Sequence, residues 1–234
     1  MTKSEFCSMS IGQIKQIPIQ ELIQMVGNQI DDYPHFSTNN KKLGSRIGSI
    51  NFLPILSCAD NIPCSHNCYA RKGRQNANNA RWCYFLNWLS YFNDKDKFFS
   101  KLKNYILYEE LSIIRYFSAG DIPDKDFFVK ACELAESLNG IKFLCFTKKG
   151  NIVNDYLDQN EKIPNNFSVI LSQWGSWQQN NPYDLPTAYV KLKHIECEIP
   201  NNAIKCSNYC GDCIRTDHNC WNLKSGESVY FKQH

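Results

Sequence analysis

The chain has 234 residues, 43% of them hydrophobic and 13% aromatic, and a formal net charge of +3. That length suits one large domain, or one domain with a small appendage, around a sizeable core. No run of about 18 apolar residues occurs, which excludes a membrane-spanning helix, and so mild a basicity permits nucleic-acid binding without requiring it.

The opening stretch, Met1-Thr-Lys-Ser-Glu-Phe-Cys7, has no apolar signal sequence, so a cytoplasmic location is expected. Residues 1–45 read as a peripheral helical segment. Ile19, Leu22, Ile23 and Val26 fall on one helix face, and residues 39–44 are loop chemistry. Residues 50–56 read as the first buried strand, with Pro54 arguing against a central position. The strand leads into Cys58-Ala-Asp-Asn-Ile-Pro-Cys64-Ser-His-Asn-Cys68-Tyr69-Ala70, which places three cysteines on one loop as C-x5-C-x3-C.

A basic segment follows, with Arg71, Lys72, Arg74 and Arg81; it reads as a solvated helix start, or else as a contact for phosphate or carboxylate. Residues 82–91 are aromatic at helical spacing, a pattern of core packing. Residues 94–111 read as a second helix with Asp94 as N-cap. Residues 112–118 read as a strand ending at Gly120-Asp121, and a helix carries Phe127, Phe128, Ala131, Leu134, Ala135 and Leu138 on one face. Residues 141–146 form the next strand, ending at Thr147-Lys148, and a short helix covers residues 151–157. Residues 167–171 form a strand ending at Ser172-Gln173, and residues 189–197 offer one more.

Strands alternating with helices predict an α/β fold with a parallel sheet and right-handed crossovers. In such folds ligands bind at the C-terminal ends of the strands. The three-cysteine loop, Gly120-Asp121, Thr147-Lys148 and Ser172-Gln173 all fall there. Asp121 has a plainer alternative, the N-terminal turn of the helix that follows it.

Twelve cysteines in a chain expected in the cytoplasm point to metal rather than disulfides. Cys7, Cys83, Cys132, Cys145 and Cys197 are scattered and read as buried small hydrophobes. Cys58, Cys64 and Cys68 suit an iron–sulfur cluster with one open iron, or zinc with His66 as fourth ligand. Cys206, Cys210, Cys213 and Cys220 lie within 15 positions. They suit either a structural zinc or a second [4Fe-4S] cluster, with His218 an unneeded fifth donor.

The first strand, its three-cysteine loop, Tyr69 and the strand–helix repeat resemble the radical S-adenosylmethionine superfamily. The usual spacing there is C-x3-C-x2-C with an aromatic residue before the last cysteine; here the spacing is wider and Tyr69 follows Cys68. The resemblance implies a partial (β/α) barrel over residues 46–199 and a small Cys-rich metal-binding extension over residues 200–234. It further implies a [4Fe-4S] cluster on Cys58, Cys64 and Cys68, S-adenosylmethionine at its open iron, and an electron donor as partner. Gly120, Asp121, Tyr69, Ser172 and Gln173 take the cofactor-binding positions by the same analogy. Leu53-Pro54, Cys68-Tyr69-Ala70, Gly120-Asp121, Phe146-Thr147-Lys148 and Cys220-Trp221 are similar to a phage family, gene product 88, from about residue 40 onward. That family name supplies no reaction.

The expected function is thus reductive cleavage of S-adenosylmethionine to begin radical chemistry on an unidentified substrate, with nucleic acid or a nucleotide as one candidate. The rival is a zinc-stabilised module that binds nucleic acid or another partner through Arg71, Lys72, Arg74 and Arg81.

Overall fold

Two long helices, one buried nearly all round and one amphipathic, and three apolar strands set the architecture. The computed structural model describes residues 1–38, 46–60, 62–192, 198–217 and 219–232. The loop expected at residues 39–44, Cys197 with the end of the strand expected at residues 189–197, and His218 lie outside the described residues.

In chain order the elements are α1 (Lys3–Ser8), α2 (Ile11–Lys15), α3 (Ile19–Val26), β1 (Ile47–Ile50), α4 (Asn78–Asn93), α5 (Lys95–Tyr108) and β2 (Ile113–Tyr116). Then come α6 (Lys125–Glu136), β3 (Lys142–Thr147), α7 (Gly150–Leu157), β4 (Phe167–Ser172), β5 (Thr187–Lys191), β6 (Ile204–Lys205), α8 (Cys210–Cys213) and β7 (Ser228–Lys232). Asp94 caps α5 by accepting from Lys97 N–H at 2.9 Å, and Asp124 caps α6 through Phe127 N–H at 2.9 Å. Each satisfies a donor that the first helical turn leaves orphaned.

The strands form one seven-stranded sheet in the order β1-β2-β3-β4-β5-β7-β6, and every neighbouring pair is parallel. The fold is α/β with a parallel sheet, as the strand–helix alternation predicts. The sheet is not closed. β5 follows β4 with no helix between them, and the last strand in sequence, β7, sits between β5 and β6.

The first strand is a correction. β1 spans Ile47–Ile50, and residues 51–56 are loop. Phe52 and Leu53 are fully buried, but Phe52 N–H donates to Ala119 O at 3.1 Å, Pro54 has no N–H, and Ile55 takes φ +75°. An apolar run can be core without being strand.

Alternation along each strand sends side chains to two faces. Ile50, Ile114, Tyr116, Phe143, Cys145, Phe167 and Val169 pack with the buried sides of α4, α5 and α6 in one large core. Phe6, Ile14, Leu22 and Val26 of the N-terminal helices join the same core, with Phe6 stacked on Phe85 at 4.6 Å. Ile47, Ile113, Leu144, Ile170, Ala188 and Val229 form a smaller cluster with Trp221. Cys206, Cys210, Ile214, Cys220 and Leu223 are partly buried against it. The helices therefore cover one face and the Cys-rich segment covers the other. No helix among the described residues is long and apolar enough to cross a membrane.

Candidate functional site

The turn after β2 is the centre of the strand-end site. Gly120 takes φ +86°, and a Cβ there would lie 2.6 Å from Ser57 Oγ and 2.7 Å from Phe52 O. Only glycine fits so close a backbone. Asn51 fixes the same turn by accepting from Ala119 N–H at 2.9 Å. The three-cysteine loop is thereby held against the end of β2, since Ser57 immediately precedes Cys58.

Asp121 follows and is buried. It does not cap α6; Asp124 does. Its Oδ1 accepts from Thr147 Oγ1 at 2.6 Å and from Ile122 N–H at 2.8 Å, and Oδ2 accepts from Lys148 N–H at 2.9 Å. Its own N–H donates to Ser57 Oγ at 3.1 Å. Burial raises the Asp121 pKa, and the donors at Thr147 and Lys148 work against that rise. One residue thus joins three segments: its N–H ties the loop after β1 to the turn after β2, and its carboxylate ties that turn to the end of β3.

Ser172 and Gln173 connect to this group through Gln179. Gln179 Nε2 donates to Thr147 O at 2.9 Å and to Ser172 O at 3.0 Å, and its Oε1 accepts from Gly150 N–H at 2.6 Å. Gln173 Oε1 accepts from Gln179 N–H at 2.8 Å. The Gln173 side chain is therefore spent on holding its own loop.

Cys58, Cys64 and Cys68 come within electrostatic reach of one another, and Cys58 and Cys64 of Asp121. Burial, with the Asp121 carboxylate next, pushes the Cys58 thiol up to about 12. Burial also raises Cys64, and the Lys148 ammonium offsets part of the rise. Burial lowers Lys149, whose Nζ donates to Pro123 O at 3.1 Å. The Tyr69 ring is half exposed, while its hydroxyl donates to Ser118 O and ties the loop to the end of β2. His66 is exposed on a 3-10 turn, Pro63–Asn67.

A family model described as Gene product 88 matches residues 30–215. The chain belongs to the gene product 88 family. No curated protein and no solved structure matches it. The family match takes in the three-cysteine loop, Asp121, Thr147, Gln179 and Cys213, and stops short of Cys220 and Trp221.

In this gene product 88 family member the second cysteine set lies on the sheet face away from the helices. Cys206, Cys213 and Cys220 each feel the charge of others in the set. Desolvation pushes the partly buried Cys220 up to about 12. Among the described residues no three His, Cys, Asp or Glu side chains are placed so as to hold a metal ion. As donors thiols suit a thiophilic metal; Cys58, Cys64 and Cys68 share one loop, and Cys206, Cys210, Cys213 and Cys220 share the segment between β6 and β7.

Sequence reasoning missed three positions. Ser57 and Gln179 carry no motif signal. Arg115 does carry one: it is a charged residue inside the apolar strand Ile113–Tyr116. Of the four basic residues after the loop, Arg71, Lys72 and Arg74 are exposed, but Arg81 lies 5.3 Å over the Phe6 ring.

Proposed function

We propose that this chain is an iron–sulfur enzyme of radical S-adenosylmethionine type. Cys58, Cys64 and Cys68 would hold a [4Fe-4S] cluster, and S-adenosylmethionine would bind beside it over the ends of β2, β3 and β4. When bound and reduced, the cluster supplies the electron that cleaves the sulfonium. The open parallel sheet is compatible with a partial barrel whose inner face is the one away from the helices.

The chain's own residues position and shield. Gly120 lets the loop approach the sheet. Asp121 Oδ2 accepts one hydrogen bond from the protein, which leaves a lone pair for the ammonium of the cofactor. Ser172 stands at the end of β4, and Tyr69 closes the loop down on Ser118. Lys148 balances negative charge beside Cys64. The observation that supports the reading is the hold of the three-cysteine loop against the strand ends, through Ser57 on the Asp121 N–H and Tyr69 on Ser118 O. Four thiols on the opposite flank would hold zinc or a second cluster.

Anaerobic reconstitution with iron and sulfide, followed by a dithionite-driven assay for 5′-deoxyadenosine, tests this. About eight irons per chain fit two clusters, and about four irons with one zinc fit a structural C-terminal site. Zinc alone under strictly anaerobic handling overturns the enzyme reading. A second reading, a zinc-stabilised nucleic-acid-binding module, draws on the exposure of Arg71, Lys72 and Arg74. It requires binding that weakens steeply with salt.

A further inference from the structure

Arg115 is the charged residue of β2, and it stands on the sheet face that the Cys-rich segment covers. Its guanidinium carbon lies 5.2 Å over the Phe146 ring, and Phe146 meets Phe231 edge to face at 5.6 Å. Arg115 and both rings are half-buried. The Nε–H is buried and has no hydrogen-bond partner. Nη1 has only Cys210 Sγ at 3.9 Å, and a thiol is a weak acceptor.

The described neighbours supply no counter-charge. The register partners of Arg115 are Ser49 on β1 and Leu144 on β3, both uncharged. The ion pairs among the described residues all use lysine, so none of them engages Arg115. A water would satisfy the Nε–H and still leave the charge uncompensated. A half-buried cation that faces no anion costs stability, and a buried donor left orphaned calls for an acceptor from outside the chain. Attraction to the Phe146 face holds the cation in place without using its N–H groups. A planar fork of donors then fits two oxygens of a carboxylate or phosphate, which a compact ammonium would not.

We propose that Arg115 anchors a ligand site on this sheet face, one that takes a small molecule by a carboxylate or phosphate group and packs the rest of it on Phe146 and Phe231. The inference needs no metal at either cysteine set. It also goes beyond the proposed reaction, since Arg115 lies within β2 and is not among the strand-end residues given there to S-adenosylmethionine. The guanidinium supplies charge and a two-point grip, and the rings supply apolar contact. The Nε–H is one of the donors that the oxyanion would satisfy.

The test uses the full chain, with phosphate, benzoate and chloride at one ionic strength as probes. Phenylglyoxal labels guanidinium groups, and peptide mass spectrometry reads the extent at Arg115. Labelling there is expected to slow about tenfold when phosphate or benzoate stands at ten times its Kd, the ratio that site occupancy sets. Chloride should not slow it, and the exposed Arg71 and Arg74 should label alike in all three. Protection by phosphate alone assigns a phosphate ligand, and protection by benzoate alone a carboxylate. The protecting anion should also raise the melting temperature of wild type above that in chloride. Arg115→Met should lose that rise, and Arg115→Lys, which keeps the charge without the fork, should keep part of it. Labelling that neither oxyanion slows overturns the proposal, as does an equal melting rise in wild type and Arg115→Met. Where phenylglyoxal does not reach Arg115 even in chloride, the melting comparison decides; where Arg115→Met does not fold, protection in wild type decides.

Discussion

Thr147 donates a 2.6 Å hydrogen bond to Asp121 Oδ1 and so locks the end of β3 to the turn after β2. Asp121→Ala would leave this hydroxyl and the N–H groups of Ile122 and Lys148 without their acceptor. The expected loss in urea unfolding is about 2–4 kcal/mol, since stranded buried donors cost more than the bond they lose. Thr147→Val should cost about 1–2 kcal/mol, and the double variant less than the sum. Strict additivity would mean that the pair is not coupled.

Gly120→Ala should be the most damaging single-methyl change at the site. The left-handed φ alone costs about 1–2 kcal/mol, and the new Cβ meets a backbone oxygen at Phe52 that cannot swing away. Adding Ser57→Ala removes one of the two clashes and should not restore stability. Wild-type-like melting of Gly120→Ala would refute the close approach.

The thiols give the metal-free chain a stability that fades in alkali. Cys58 and Cys220 are both held near pKa 12 by burial, whereas an unfolded cysteine titrates near about 8.5. A raised folded value means the native state keeps protons that the unfolded state releases. The contribution is complete below about pH 8.5 and is lost as the pH climbs toward 12. Melting of the metal-free chain should fall across that interval, and Cys58→Ala should flatten the fall. Iodoacetamide at pH 8 should modify Cys58 more slowly in the native chain than in urea; equal rates would show that the thiol is not buried.

The Cys-rich segment packs on the sheet through Trp221. Trp221 is 9% exposed among Leu144, Ile170, Ala188 and Val229. Trp221→Ala should cost about 3–5 kcal/mol, the range for removing a large core aromatic. On the proposed metal reading, changing Cys210 and Cys213 to Ala should loosen only the stretch that lacks apolar support. Trypsin would then cut at exposed Arg215 while β7 stays protected. Cleavage spreading into β7 would mean that the thiol centre, not Trp221, holds the segment.

The changes Cys58→Ala, Cys64→Ala and Cys68→Ala together should leave a folded chain. The core beneath their loop is built from Phe52, Leu53 and the aromatic faces of α4 and α5. Circular dichroism should match wild type, and any S-adenosylmethionine cleavage should vanish. A chain that unfolds would make the loop site structural.

The strands β2, β3 and β4 were legible because each is a short apolar run ending in polar residues, and α4 to α6 because their apolar residues recur at helical spacing. Residues 50–56 misled because burial, not backbone pairing, makes a run apolar. β6 and β7 were not legible: Ile204-Lys205 is too short to carry a pattern, and Ser228–Lys232 gains its place by pairing with β5 and β6. At the site, Gly120-Asp121 and Thr147 stood out at strand ends. Gln179 did not, because an exposed-looking glutamine in a polar loop gives no sign that it will bridge two strands.

The position of β7 sets an order on how this chain is made. A strand that is last along the sequence lies between two that precede it, so β6 has no sheet to join until β7 has arrived. A ribosome delivers residues in sequence, and the early part of a chain starts folding first. During translation β5 therefore presents a bare edge until β7 slides into place, and Leu144 and Ile170 stay open to water until Trp221 and its segment cover them. That interval exposes a parallel edge and an oily face together, the combination on which nascent chains stick to one another. Its length scales with the codons between β5 and β7, so slow translation of that stretch would reduce the soluble yield.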